Sequence, residues 1–109
     1  MGRAYRYVVA RVLAEGDLEE LLKSSVKELW GLRGLAEVQP SVVELDERAR
    51  VAVVRVRREG LPLLRAALAV HPRPLLEVLK VTGTLRRARR VAGSLGPRPL
   101  QGAGGQPKL

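Results

Sequence analysis

The sequence predicts an α+β fold in which two helices cover one face of a four-stranded antiparallel sheet. Three observations lead to this prediction. Four short segments are rich in β-branched residues, which favour strands. Two stretches between those segments carry apolar residues at helical spacing, and a short polar turn joins the second and third segments as in a hairpin. A chain of 109 residues fits a single domain.

The first predicted strand and helix adjoin at a glycine. Residues 5–13 read YRYVVARVL and have the composition of a strand, which Gly16 ends. Asp17 then occupies an N-cap position with Glu20 three residues later, a pattern similar to a capping box. One apolar stripe follows over about three helical turns, and Trp30 on this stripe is expected to be buried in the core. The stripe consists of Leu18, Leu21, Leu22, Val26, Leu29 and Trp30.

A hairpin is predicted in the middle of the chain. Gly31 and Gly34 are expected to end the first helix, and a second strand is expected over about residues 36–45. Residues 46–49 form a polar turn into a third strand, residues 50–57. Alternate residues of a strand face opposite sides of the sheet. One side of the third strand carries Val51, Val53 and Arg55, and the other carries Ala52, Val54 and Val56.

The second half of the chain adds a helix, a strand and a further helix. Gly60 and Pro62 open the second helix, since proline is well tolerated in a first helical turn. After a proline-rich break, residues 75–81 form the fourth strand, and the turn 82–84 leads into a third helix over about residues 85–94. The buried side of the second helix is predicted to be Leu61, Leu64, Ala67 and Leu68.

The element order β-α-β-β-α-β is that of the split βαβ unit, a ferredoxin-like or RRM-like sandwich, here with an added C-terminal basic helix. Residues 1–95 are predicted to form this single domain. Residues 96–109 are half glycine and proline and are predicted to be a flexible tail. The sheet face opposite the two helices is left for a partner or for the third helix.

Positive charge is concentrated towards the C-terminal end. The net charge is +9, and residues 78–109 contribute +7 of it with seven basic side chains and no acidic one. This asymmetry indicates a polyanionic partner, and the lack of a large apolar insertion face favours nucleic acid over a membrane. No apolar run has the length of a bilayer span. The absence of cysteine fits a reducing cytoplasm, and a cytoplasmic location is expected.

Catalysis by the chain itself is not expected. There is no cysteine, which excludes disulfides and thiolate metal sites. His71 is the only histidine and has no serine nucleophile near it in sequence, while Asp46 and Glu47 are better explained as turn residues than as an acid–base pair. No phosphate loop, zinc motif or calcium loop is present. The protein is therefore predicted to bind no metal or cofactor of its own.

The third predicted helix separates charge from apolar surface. On a helical wheel its four arginines fall within an arc of about 160°. Like charges at this spacing repel, and cations in a first turn oppose the helix dipole, whereas a phosphate backbone would reverse both penalties. These arginines are therefore predicted to bind RNA, the alternative being a solvated basic face. The arc holds Arg86, Arg87, Arg89 and Arg90, and the apolar edge holds Leu85, Ala88, Val91, Ala92 and Leu95.

Two further groups of residues extend the predicted RNA site. Thr82, Gly83 and Thr84 are included because the free N–H groups at the start of a helix bind anions. Arg55 and Arg57 share a strand face and either extend the RNA track or keep an edge strand soluble.

Two tyrosines share a face of the first strand. Tyr5 and Tyr7 could stack on bases. Because the chain has only these two tyrosines, packing in a core or an interface is the preferred interpretation.

Residues 79–87, which read LKVTGTLRR, are similar to a motif of a known family: Val-Ser-Gly-Thr-Ile followed by basic residues. The sequence resembles the small α/β subunit of archaeal and eukaryotic ribonuclease P, called protein component 2 in archaea. The similarity covers about residues 4–92 and includes Arg6-Tyr7-Val8 in the first strand, Val54-Arg55 in the third, and residues 64–68 in the second helix.

The resemblance implies a subunit of the ribonucleoprotein that removes the 5′ leader from precursor tRNA. In that family the RNA carries out the magnesium-dependent cleavage, and the protein supports the active fold of the RNA. The implied partners are the ribonuclease P RNA, precursor tRNA and the barrel-shaped protein component 3, and two such protein pairs can join through the small subunit. Two alternatives stay open: a ribosomal or other structural RNA-binding protein, and a regulatory domain that binds a small ligand.

Overall fold

Four strands and three α-helices follow the predicted order along the chain. The computed structural model describes residues 4–95, so the predicted tail, residues 96–109, lies outside the described residues. The strands are β1 (Tyr5–Val12), β2 (Ser41–Asp46), β3 (Val51–Arg57) and β4 (Leu76–Thr82). The helices are α1 (Leu18–Val38), α2 (Leu61–Val70) and α3 (Leu85–Leu95), and a short 3₁₀ turn (Arg58–Gly60) precedes α2.

All four strands form one sheet in the order β2-β3-β1-β4, with every neighbouring pair antiparallel. The predicted hairpin joins β2 to β3. Its turn is held by Asp46, whose Oδ1 accepts hydrogen bonds from the backbone N–H groups of Arg48 and Ala49, both at 3.0 Å. The sheet order and the two crossover helices are those of a ferredoxin-like sandwich, which confirms the predicted fold class.

The sheet has an apolar core on each face. The larger core lies between the sheet and α1 and α2, and Val8, Val54 and Leu64 at its centre are fully buried. The smaller core lies on the opposite face, where Ala88 of α3 is fully buried against Val9 of β1 and its neighbours. The third helix therefore occupies the face that the sequence left for it or for a partner.

The prediction for the end of α1 was wrong in part. Gly31 does leave the helical conformation, with φ 78° and ψ −173°, which glycine adopts without steric penalty. Helical residues then resume and continue to Val38, where Gln39 caps the helix and donates its N–H to the Leu35 carbonyl at 2.8 Å. The second strand consequently begins at Ser41 instead of near residue 36.

The resumed segment of α1 is held by close packing at the start of α2. A Cβ added at Gly60 would lie 2.5 Å from both the Glu37 carbonyl oxygen and the Val38 Cα. Only glycine lets the two backbones approach this closely. Such a contact joins residues far apart in sequence, so local patterns did not reveal it.

Trp30 was expected in the core, and this prediction was also wrong. Its side chain is 42% exposed, and its indole N–H donates a hydrogen bond to the Leu63 carbonyl at 3.0 Å. Trp30 lies directly before the break at Gly31 and spans from α1 to the first turn of α2. The helical stripe placed it on the apolar side correctly, but the polar N–H needs a partner and so favours the rim of a core.

Candidate nucleic-acid interface

The third helix presents its arginines as the wheel predicted. Its apolar edge packs into the smaller core, with Ala88 fully buried and Leu85 and Val91 partly buried. The four arginine side chains on the other side are exposed. Burial of the edge holds the helix on the sheet, so the charged arc is displayed by a fixed element. The arc consists of Arg86, Arg87, Arg89 and Arg90.

The turn before α3 is organised by two threonine hydroxyls. Thr84 caps the helix, because its Oγ1 accepts a hydrogen bond from the Arg87 N–H at 3.2 Å. Thr82 is buried at the end of β4 and donates its hydroxyl to the Thr84 carbonyl at 2.9 Å. Both hydroxyls thus position the start of the helix. A direct contact between RNA and Thr82, Gly83 or Thr84 stays a prediction.

One arginine of the arc has an acidic partner that the local sequence did not reveal. Glu44 of β2 accepts a charge-assisted hydrogen bond from the Nε of Arg89. Both side chains remain partly exposed, so this pair contributes at most about 1 kcal/mol to stability. No ion pair is formed by Arg86, Arg87 or Arg90 within residues 4–95, so these three carry the uncompensated charge of the helix.

The sheet register brings the separate parts of the predicted site together. Tyr7 lies opposite Thr82 on one side and opposite Arg55 on the other, and Arg55 lies opposite Ser41. These four residues form one row across the sheet on the face covered by α3. Neighbouring strands are about 4.8 Å apart, so the backbones of Thr82 and Arg55 are about 10 Å apart. The arginines of β3 therefore lie near the start of the basic helix.

Arg55 is held against an aromatic ring. The guanidinium carbon lies 4.8 Å from the centroid of Tyr5, which is a cation–π distance. The Nε of Arg55 is buried and has no hydrogen-bond partner among the described residues. Arg57 lies opposite Tyr5 in the next row and is partly exposed. The structure thus groups Arg57 with the Arg55–Tyr5 pair.

The two tyrosines have different surroundings. Tyr7 packs against the smaller core, in agreement with the preferred interpretation. Tyr5 lies one row further out, where it contacts Arg55. Only the sheet register separates the two residues, since they are equivalent by strand alternation.

Lys80 belongs to the basic surface and was missed. It lies opposite Val9, whose side chain is in the smaller core, so Lys80 is on the α3 face of β4 and is exposed there. Thr82 is two residues further along the same strand. Strand alternation counted back from Thr82 would have found Lys80.

The described residues contain no group of three metal-ligating side chains. His71 lies in the segment between α2 and β4, and its Nδ1 accepts a hydrogen bond from the Arg73 N–H at 3.1 Å. Within residues 4–95, no helix combines the length and the apolar character that crossing a membrane requires.

The fold and the site place this chain among small α+β proteins in which a ferredoxin-like sandwich carries a basic helix on its second sheet face. The chain belongs to the Rpp14/Pop5 family, whose model matches residues 6–93. This match confirms the family resemblance seen in the sequence. It also covers every element of the described fold except the first residue of β1 and the last two of α3.

Curated relatives agree with the family model. The chain is 30% identical to ribonuclease P protein component 2 of Pyrococcus horikoshii, over 78% of this chain and 79% of that protein. It is 29% identical to the protein of the same name from Saccharolobus solfataricus, over 84% of this chain and 71% of that protein. For the Sulfurisphaera tokodaii protein of that name the identity is 30%, over 84% and 80% of the two chains.

Proposed function

We propose that this chain is the RNA-supporting protein component 2 of ribonuclease P and that it binds RNA through the arginines of α3. Membership of the Rpp14/Pop5 family supports the ribonuclease P assignment already predicted from the sequence. The observation that carries the RNA contact is the combination of an anchored apolar edge with three arginines that form no ion pair within residues 4–95. These arginines are Arg86, Arg87 and Arg90.

The electrostatics of α3 favour a phosphate backbone as the ligand. Arg86 and Arg90 are four residues apart, so they repel each other by a few tenths of a kcal/mol. The arginines of the first turn also face the positive end of the helix dipole. Bound phosphates would reverse both effects, and they would release counterions from the RNA. Contacts of this kind position RNA and read little of its base sequence.

In this proposal the RNA cleaves the 5′ leader of precursor tRNA with magnesium, and the protein stabilises the active RNA fold. The chain itself needs no cofactor. Its protein partner is the barrel-shaped protein component 3, and two such pairs associate through the small subunit. The assembly acts in the cytoplasm.

The test is reconstituted cleavage of precursor tRNA by ribonuclease P RNA at limiting magnesium. Addition of the chain with protein component 3 should lower the magnesium concentration needed for half-maximal cleavage. A variant with Arg86, Arg87 and Arg90 replaced by glutamine, called the α3 triple variant below, should lose most of this effect. If the wild-type pair never lowers the magnesium requirement, the proposed function is wrong.

A matched control replaces three exposed arginines elsewhere on the molecule. Arg33, Arg65 and Arg73 lie in α1, in α2 and in the segment before β4. Their replacement by glutamine, called the control triple variant below, removes the same charge. It should keep the magnesium effect if position on α3, and not net charge, is what matters.

A further inference from the structure

At one corner of the sheet face that carries the third helix, four side chains of β1 and β3 are partly exposed. The helix starts beside the end of β4, and its last turns lie beside the β2–β3 hairpin, where Gly93 shares a shallow cavity with Asp46 and Val51. The opposite end of β3 holds Arg55 and Arg57. We call the group of Tyr5, Tyr7, Arg55 and Arg57 the Tyr5–Arg55 corner; all four side chains are partly exposed.

The Tyr5–Arg55 corner contains the two kinds of side chain on which an unpaired base can stack. The guanidinium carbon of Arg55 lies over the Tyr5 ring, 4.8 Å from its centroid, and no second aromatic ring within residues 4–95 forms such a contact with Arg55. Planar guanidinium groups and tyrosine rings are the surfaces on which unpaired bases stack. The buried Nε of Arg55 has no acceptor within residues 4–95, so its hydrogen-bonding capacity is still unused.

The charge around the corner suits a single phosphate group. Arg57 lies opposite Tyr5. Arg86 is three residues before Arg89, so helical spacing puts it on about the same side of α3 as Arg89, which reaches Glu44 of β2. The carboxylate of β2 on this face, Glu44, is already occupied by Arg89. The next acidic residue after β3, Glu59, pairs with Arg58 in the 3₁₀ turn that packs against α1.

We propose that the Tyr5–Arg55 corner binds one unpaired nucleotide, with its base stacked on the Arg55–Tyr5 pair and its phosphate held by Arg57 and Arg86. This inference rests on the proposed function and refines it. The arginine arc of α3 accepts any phosphate backbone, whereas the corner requires a base whose face is exposed. The base faces in an RNA duplex are covered by neighbouring bases. The corner therefore selects a bulge, a loop or a single-stranded end next to the RNA backbone that α3 contacts.

The experiment compares two RNA probes on the full chain. One is a short blunt hairpin, and the other is the same hairpin with a single-stranded extension that carries a fluorescent adenine analogue, whose emission falls on stacking. Wild-type protein should bind the extended hairpin about tenfold more tightly than the blunt one and quench the analogue, since stacking of one base contributes affinity on this scale.

Two substitutions separate stacking from charge. Tyr5→Leu removes the ring and should abolish the tenfold preference and the quenching, while Tyr5→Phe keeps the ring and should retain both. Arg55→Lys keeps the charge but removes the plane, and it should lose the quenching. Tyr5→Leu and Tyr5→Phe should bind the blunt hairpin as the wild type does, and Arg55→Lys is judged by its preference for the extended hairpin over the blunt one. Thermal unfolding of each variant checks the fold, and Arg55→Lys decides the result if Tyr5→Leu does not fold.

The outcomes distinguish this inference from the proposed function. Equal binding of both hairpins by the wild type, or full preference and quenching in Arg55→Lys, would overturn the nucleotide site and leave the proposed function intact. Failure of the wild type to bind either hairpin would count against both. Retention of the preference and of the quenching in Tyr5→Leu would likewise overturn the nucleotide site, even where the α3 triple variant loses binding to both probes.

Discussion

The two faces of the sheet differ in how much apolar core they bury and in the charge of the helices that cover them. Among residues 4–95, the face under α1 and α2 holds a core of fourteen buried residues and the α3 face holds five, so most of the apolar burial described is on the first face. The helix α1 mixes both signs of charge, including the Lys23–Glu19 pair at 3.3 Å. The helix α3 contains four arginines and no acidic residue. The first face therefore mainly stabilises the fold, and the second displays charge on a minimal core.

The largest expected effect tests the stabilising face. Leu64 is fully buried between α2 and the sheet. Replacing it with alanine should lower the free energy of unfolding by about 2–5 kcal/mol through lost burial and the cavity left behind. Urea denaturation measures the change, and RNA affinity of the folded protein should stay the same. A comparable loss of RNA affinity would contradict the division between the two faces.

The next effect tests the charged face. The α3 triple variant should reduce the slope of log affinity against log salt by about 2–3, because each lost phosphate contact removes about 0.7–0.9. Its free energy of unfolding should not fall, since the replaced side chains repel one another. RNA binding is titrated at several salt concentrations, with the control triple variant measured in parallel. An unchanged slope would identify the arc as a solvated basic surface.

A smaller effect is expected at Thr84, which contributes to stability and also positions the arginines of α3. Thr84 caps the helix that carries the arginines. Thr84→Ala should lower the free energy of unfolding by about 1 kcal/mol, because the first turn loses a hydrogen-bond acceptor. Thr84→Ser should restore most of it in the same denaturation experiment. If alanine is as stable as the wild type, the cap does not hold α3 in place.

The smallest effect concerns Arg89, the arginine of α3 that pairs with Glu44. Glu44→Gln would release Arg89 and change the free energy of unfolding by less than about 1 kcal/mol. RNA affinity should rise, and the salt slope should steepen by up to about 0.7–0.9 as Arg89 becomes available to phosphate. Combined replacement of Glu44 and Arg89 should remove this gain. A weaker affinity in Glu44→Gln would show that the ion pair orients Arg89 for binding.

Local patterns predicted the element order, the hairpin turn at Asp46 and the two sides of α3. Each depends on residues close in sequence: a side chain that accepts from N–H groups two and three residues later, or apolar residues repeated at helical spacing. The same reasoning misjudged Trp30 and the end of α1. There the outcome depends on Leu63 and Gly60, which lie far away along the chain.

The arginines of α3 likewise have some properties that follow from local sequence and others that depend on contacts between distant residues. The spacing of the four arginines by itself determined that they share one side of an anchored helix, because a helix has a fixed turn per residue. Only the tertiary structure decided which of the four has an acidic partner, since Glu44 reaches Arg89 across forty-five residues of sequence. Likewise, strand alternation placed Arg55 and Tyr5 on sheet faces, but the register of β1 against β3 brought them into contact. Register follows from the packing of the whole sheet, which no single segment of the sequence encodes.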